Sequence, residues 1–115
     1  MGRNINYNGK RFAVLENSEN GALGPSTIFE YQQKGNIIHC TYQGEQIVYG
    51  HLLGVVNEVN TISLTYHQVD WEGKIRTGIC TSTPEIMKNG KIRLHESWQW
   101  TSGDRSKGNS ILEEC

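Results

Sequence analysis

A single carboxylate stands where a charge is costly. From Gly90 to Gly103 the chain runs GKIRLHESWQWTSG, and its residues alternate. Ile92, Leu94, Glu96, Trp98 and Trp100 share one face; Arg93, His95, Ser97, Gln99 and Thr101 share the other. A period of two marks a half-buried strand. Glu96 therefore points the same way as two indoles. A buried carboxylate must be paired, hydrogen-bonded or protonated. Such a group can fix the polar end of a ligand or act as an acid or base.

Around it, Tyr31, Tyr49, His51, Tyr66, Trp98 and Trp100 are the candidate lining of a pocket. In one reading the aromatics stack a small ligand while Glu96 and His51 fix its polar groups. In another, the core is filled and Glu96 accepts hydrogen bonds from tyrosine hydroxyls and indole N–H groups. Glu96 and His51 are also the candidates for an acid–base pair. His95-Glu96 begins like the zinc motif His-Glu-x-x-His, but position 99 is Gln, and on a strand the two neighbours face opposite ways. His39, His67 and His95 fall on outer faces, so no metal site and no cofactor site is read. Cys40 is inward and inert, Cys80 faces away from Ile79, and Cys115 is terminal and open to oxidation. Ser102–Asn109 is a polar loop, either a lid carrying Arg105 and Lys107 or a solvated hairpin.

The elements that must hold these residues are strands. Lys10–Glu16, Thr27–Gln33, Asn36–Tyr42, Gln46–Val56, Thr61–Val69, Lys74–Thr81, the Gly90–Gly103 stretch and Ser110–Glu114 each fit one. Turns fall at Lys34-Gly35 or Gly35-Asn36, Gly44-Glu45, Asn57–Asn60, Trp71–Gly73 and Asn89-Gly90. A two-residue turn at Gly44-Glu45 sets Tyr42 opposite Ile47, Cys40 opposite Tyr49 and Ile38 opposite His51. That register turns Ile47, Tyr49, His51, Leu53 and Val55 inward and leaves Gly50 and Gly54 outside. Ile62, Leu64 and Tyr66 point inward on the next strand. Pro84 marks a bulge or an edge. Gly-Lys-Ile-Arg occurs at 73–76 and again at 90–93, where two hairpins end. The fold class is all-β: a single up-and-down antiparallel barrel of about eight strands with little or no helix. It forms one domain over 1–115, with 1–9 loose.

Composition narrows the partners. Eleven basic and twelve acidic residues in 115 give a net charge of −1, with no basic run, so no nucleic acid or membrane partner is expected. Three cysteines without CxxC spacing and no apolar leader imply reduced thiols in the cytoplasm.

The strings Leu94-His-Glu-Ser-Trp-Gln-Trp-Thr-Ser-Gly-Asp104, Gly50-His-Leu-Leu-Gly54 and Thr81-Ser-Thr-Pro84 resemble a family of small bacterial proteins of the avidin-like, lipocalin/avidin class. The resemblance covers most of the chain and implies a closed barrel. Members often carry the name N-acetylglutamate synthase, which would imply an acyltransferase. Arg105-Ser-Lys-Gly108-Asn-Ser110 partly matches the pyrophosphate-binding loop of such enzymes, but only five residues follow Ser110, too few for the required helix. The Gly-x-Trp found near the start of lipocalins and avidins is absent, so neither biotin nor a lipocalin-type ligand is implied. Three functions follow: a barrel binding an unknown small molecule, an enzyme with an acid–base site in the barrel, or a homodimeric interaction module with a filled core.

Overall fold

In the computed structural model, residues 5–19 and 21–115 are described. They form β1 (Arg11–Asn17), β2 (Ile28–Glu30), β3 (Gln32–Lys34), β4 (Ile37–Gly44), β5 (Ile47–Val56), β6 (Ile62–Asp70), β7 (Ile75–Ile86), β8 (Ile92–Trp100) and β9 (Lys107–Glu114), with no helix among the described residues. Every pairing is antiparallel, in the order β2-β1-β9-β8-β7-β6-β5-β4-β3.

The two ends of that order are halves of one expected strand. The Thr27–Gln33 segment breaks at Tyr31, so that Ile28–Glu30 pairs with β1 and Gln32–Lys34 with β4. At the break, Tyr31 N donates to Lys10 O at 2.9 Å and Gly9 N donates to Tyr31 O at 2.8 Å. One bent segment thus nearly closes the sheet into a barrel, which removes its exposed edges. Counting that segment once recovers the expected eight strands.

Turn chemistry sets the hairpins. In Met87–Lys91 and Asp70–Lys74 the loop has three residues, and the last is a glycine in the left-handed region: Gly90 at φ 87° and Gly73 at φ 78°. The repeated Gly-Lys-Ile-Arg marks this shared requirement. A two-residue turn at Asn89-Gly90 would pair Met87 with Ile92; the three-residue loop pairs Ile86 with it instead. Pro84 lies within β7 but beyond Ser82, the last β7 residue paired with β6, so only β8 flanks it.

The β4–β5 hairpin departs from the expected register. Its turn is Glu45-Gln46, and ladder irregularities fall between Tyr42 and Gly44 and between Ile47 and Tyr49. Tyr42 pairs with Gly50, Cys40 with Leu52 and Ile38 with Gly54. One extra residue in a strand inverts every later side chain. Ile47 stays inward, but beyond it Gly50, Leu52 and Gly54 face the core while Tyr49, Leu53 and Val55 are exposed.

The inward glycines make room for rings. A Cβ on Gly50 would lie 2.4 Å from the Tyr42 ring, and one on Gly78 would lie 2.2 Å from that of Tyr66. The core collects Phe12, Phe29, Tyr31, Ile38, Ile62, Leu94 and Leu112. The N-terminal segment expected to be loose supplies a plug. Tyr7 is fully buried, its hydroxyl donates to Asn60 O at 2.7 Å and its N–H donates to Gln33 Oε1 at 2.8 Å. Residues 1–4 of that segment lie outside the described residues.

Candidate functional site

β8 delivers the expected face: Leu94, Glu96, Trp98 and Trp100 are all buried, Glu96 with 8 % of its surface exposed. Strand pairing places Ser82 of β7 and Ser110 of β9 directly beside Glu96. Two small side chains leave space there for a carboxylate. Ser110 Oγ donates to Glu96 Oε1 at 3.0 Å. Ser82 Oγ lies near enough to ease the carboxylate's charge but makes no hydrogen bond of full geometry within the protein. The filled-core expectation of tyrosine and indole donors is thus replaced by serine.

One serine bond does not offset full burial. Desolvation pushes the Glu96 carboxyl up to about 7, with Ser110, Ser82 and Cys80 acting in the opposite sense. Its neighbours feel the same environment. Burial, aided by the Glu96 charge, raises the Cys40 thiol to about 12 and takes Tyr31 well above its ordinary range. Tyr31 OH is fully buried and makes no hydrogen bond within the protein.

Toward one end of the barrel, Glu96 opens onto a cavity of about 50 Å³. Two groups of rings wall it. Trp98, Trp100 and Tyr66 form one, with Trp98–Trp100 centroids 5.8 Å apart and Tyr66–Trp100 centroids 5.5 Å apart. Phe29 and Tyr42 form the other, 4.8 Å apart. Opposite Glu96 in chemistry is Gln68, whose Oε1 accepts from Tyr42 OH at 3.0 Å. The guanidinium of the half-buried Arg76 lies 3.8 Å from the centre of the buried Trp100 ring, a cation–π contact.

Gly21, Ala22 and Leu23 complete the wall. They belong to the loop between β1 and β2, which is tied at both ends. Asn17 Nδ2 donates to Leu23 O at 3.1 Å, and Ser18 exchanges hydrogen bonds with Asn109. At the other end, Glu45 Oε1 accepts from Ser26 N at 3.2 Å and Ser26 Oγ at 2.7 Å, which holds the Glu45 carboxyl below its ordinary range. This loop, not Ser102–Asn109, covers the cavity. Arg105 and Lys107 are exposed beside the β8–β9 turn and do not line it. Glu45→Ala should therefore speed amide exchange across residues 21–27 and leave exchange in β7 and β8 unchanged. Equal exchange in the loop of both proteins, followed by mass spectrometry, would contradict the latch.

Of the residues expected in the pocket, Glu96, Trp98, Trp100 and Tyr66 meet there. Tyr31 is inside the barrel but not on the cavity wall. Tyr49 is 57 % exposed, and His51 stacks against His67 on the outer surface at 5.4 Å. The β5 irregularity moved both outside, so Glu96 and His51 lie on opposite faces of the barrel wall and form no acid–base pair. Gln68 was missed, although it lies two residues past Tyr66 in the same alternation and could have been found by parity. The partial acyltransferase loop runs into β9, a strand, so no helix N-terminus follows it. His95 bonds Glu85 at 2.7 Å on the outer surface, and among the described residues no three His, Cys, Asp or Glu side chains gather as a metal site. Cys40 and Cys80 are buried and form no disulfide, and Cys115 is exposed.

No curated protein matches the chain at a significant level. A family model described as Avidin-like protein matches residues 5–115. That match spans all nine strands and agrees with a nearly closed antiparallel barrel whose aromatic interior opens at one end, and the chain belongs to the avidin-like protein family.

Proposed function

We propose that this barrel binds a small, flat, largely apolar molecule carrying at least one hydrogen-bond donor. The observation that supports this reading is the Glu96 carboxyl facing a cavity walled by Trp98, Trp100, Tyr66, Tyr42 and Phe29. Rings give stacking area at little entropic loss, and a few placed polar groups set orientation. An ionised carboxylate only accepts hydrogen bonds, so the group it meets must donate. A volume of about 50 Å³ admits a few heavy atoms. A larger ligand reaches the site only if the Gly21–Leu23 wall moves. A donor on the ligand favours the ionised carboxyl, so affinity rises as pH climbs toward 7. The exposed, unbonded Cys115 suits a reducing compartment, and we place the protein in the cytoplasm.

Native mass spectrometry of the chain purified from its own host tests the proposal. A retained mass that is lost from Glu96→Leu, with intrinsic tryptophan emission changing on its release, is the expected result. Bare polypeptide from the host, together with unchanged emission across a library of small amines, amides and heterocycles, would overturn it.

A further inference from the structure

We propose that Arg76 anchors a carboxylate at the mouth of the barrel, so that the molecule bound is a flat acid with its hydrogen-bond donor at Glu96 and its anionic end on Arg76. The inference rests on the ligand-binding reading and adds the chemistry of the ligand's outer end.

Strand parity puts Arg76 at the mouth. On β7, Ser82, Cys80 and Gly78 face the interior, and Arg76 is the next position in that alternation. It pairs with Gln68 of the cavity wall, and its neighbour in the same row, Gly78, pairs with Trp100. The guanidinium lies over the Trp100 ring, 3.8 Å from its centre. Trp100 closes the row that begins at Glu96, and the two positions are separated by about 13 Å of strand.

This cation lacks what the others have. Lys10 holds Glu114 at 3.2 Å, Arg93 holds Glu113 at 3.3 Å and Arg11 faces Glu30 at 3.9 Å. Among the described residues no ion pair or hydrogen bond occupies the Arg76 guanidinium. Asp104 is near, but its Oδ1 accepts from Ser106 N at 3.0 Å. Ser106 chiefly, and the Arg76 charge more weakly, hold the Asp104 carboxyl below its ordinary range. On the cavity side, burial pushes the Tyr66 hydroxyl up and the Arg76 charge opposes that rise, so the guanidinium's field reaches the aromatic wall.

A guanidinium lying on a ring has a face covered and its N–H donors, which lie in its own plane, left over. A carboxylate fits that edge with two parallel hydrogen bonds. A half-buried cation without a counter-ion has exchanged water for ring contact alone, and an anion brought by a ligand completes it. One guanidinium matches one negative charge, and Asp104 nearby disfavours a second. The mouth therefore suits a carboxylate better than a phosphate.

Isothermal titration calorimetry at neutral pH tests this with matched probes. The probes are indole, quinolone and aminonaphthalene carboxylic acids with aliphatic tails of varied length, each beside its primary amide and the corresponding phosphate monoester. Acids should bind the wild type about tenfold or more tighter than their amides. Arg76→Gln should remove that preference, Arg76→Lys should restore part of it, and Arg105→Gln should leave it intact. The Arg76 Nε–H resonance should shift on adding an acid and stay in place on adding its amide. Thermal unfolding reports that each variant keeps the barrel. Acids and amides that bind the wild type alike, and are both lost from Glu96→Leu, would leave the cavity reading standing and overturn the role of Arg76. A preference for acids that survives Arg76→Gln, or tighter binding of the phosphate esters, would overturn it too. If no probe binds, the molecule retained by protein purified from its host decides. One bearing a carboxyl supports the inference, one without overturns it alone, and bare polypeptide overturns the ligand reading with it.

Discussion

Glu96→Gln should be more stable than the wild type by about 3 kcal/mol at pH 8 and nearly equal to it at pH 4. The carboxyl titrates near 4.5 in the unfolded chain and is pushed up to about 7 in the fold by desolvation. The folded state therefore binds a proton more tightly than the unfolded one. Its stability from this group is complete below about pH 4.5, erodes as pH rises through about 7, and levels off above. Glutamine keeps the shape and an acceptor oxygen for Ser110 without a charge to bury. Other carboxylates, such as Glu113 beside Arg93 and Glu114 beside Lys10, are common to both proteins. The difference between variant and wild type isolates Glu96. Urea unfolding at a series of pH values measures it, and parallel pH profiles of the two proteins would contradict the burial.

Gly50→Ala should cost about 1–3 kcal/mol, the usual range for overpacking a closed interior. The new methyl would stand 2.4 Å from Tyr42 Cε2, so the ring must leave. Tyr42 is only 5 % exposed, holds Gln68 at 3.0 Å and packs on Phe29 at 4.8 Å. The displacement should also disturb the cavity wall and reduce ligand retention. Tyr42→Ala removes the obstruction, so the two changes together should cost less than the sum of the singles. Denaturant midpoints for all four proteins form the cycle. An additive result would show that the ring and the glycine are not in contact.

The central strand was fully legible because its alternation runs uninterrupted for nine residues. Glu96 stood out there for the same reason. The β5 face was not legible. Its order of apolar residues supports either parity, and an unpaired position between Ile47 and Tyr49 decides between them. The glycines held the signal. Gly50 and Gly54 sit inward because rings and branched side chains from neighbouring strands fill their place. A sequence rule that treats glycine as neutral in the alternation cannot detect this. The closing bend at Tyr31 was equally hidden, since a strand that pairs on different edges with its two halves has the pattern of one strand. The covering loop was misplaced because polarity marks loops without saying which of them lies over the barrel mouth.

The central claim is that a lone carboxyl lies inside this barrel facing its aromatic cavity. The most direct measurement is the pH titration of the Glu96 carboxyl carbon by nuclear magnetic resonance in glutamate-labelled protein, with Glu96→Gln to assign the signal. A midpoint near 7 is the result this structure requires. A midpoint in the ordinary range for an exposed glutamate, about 4.3, would contradict it.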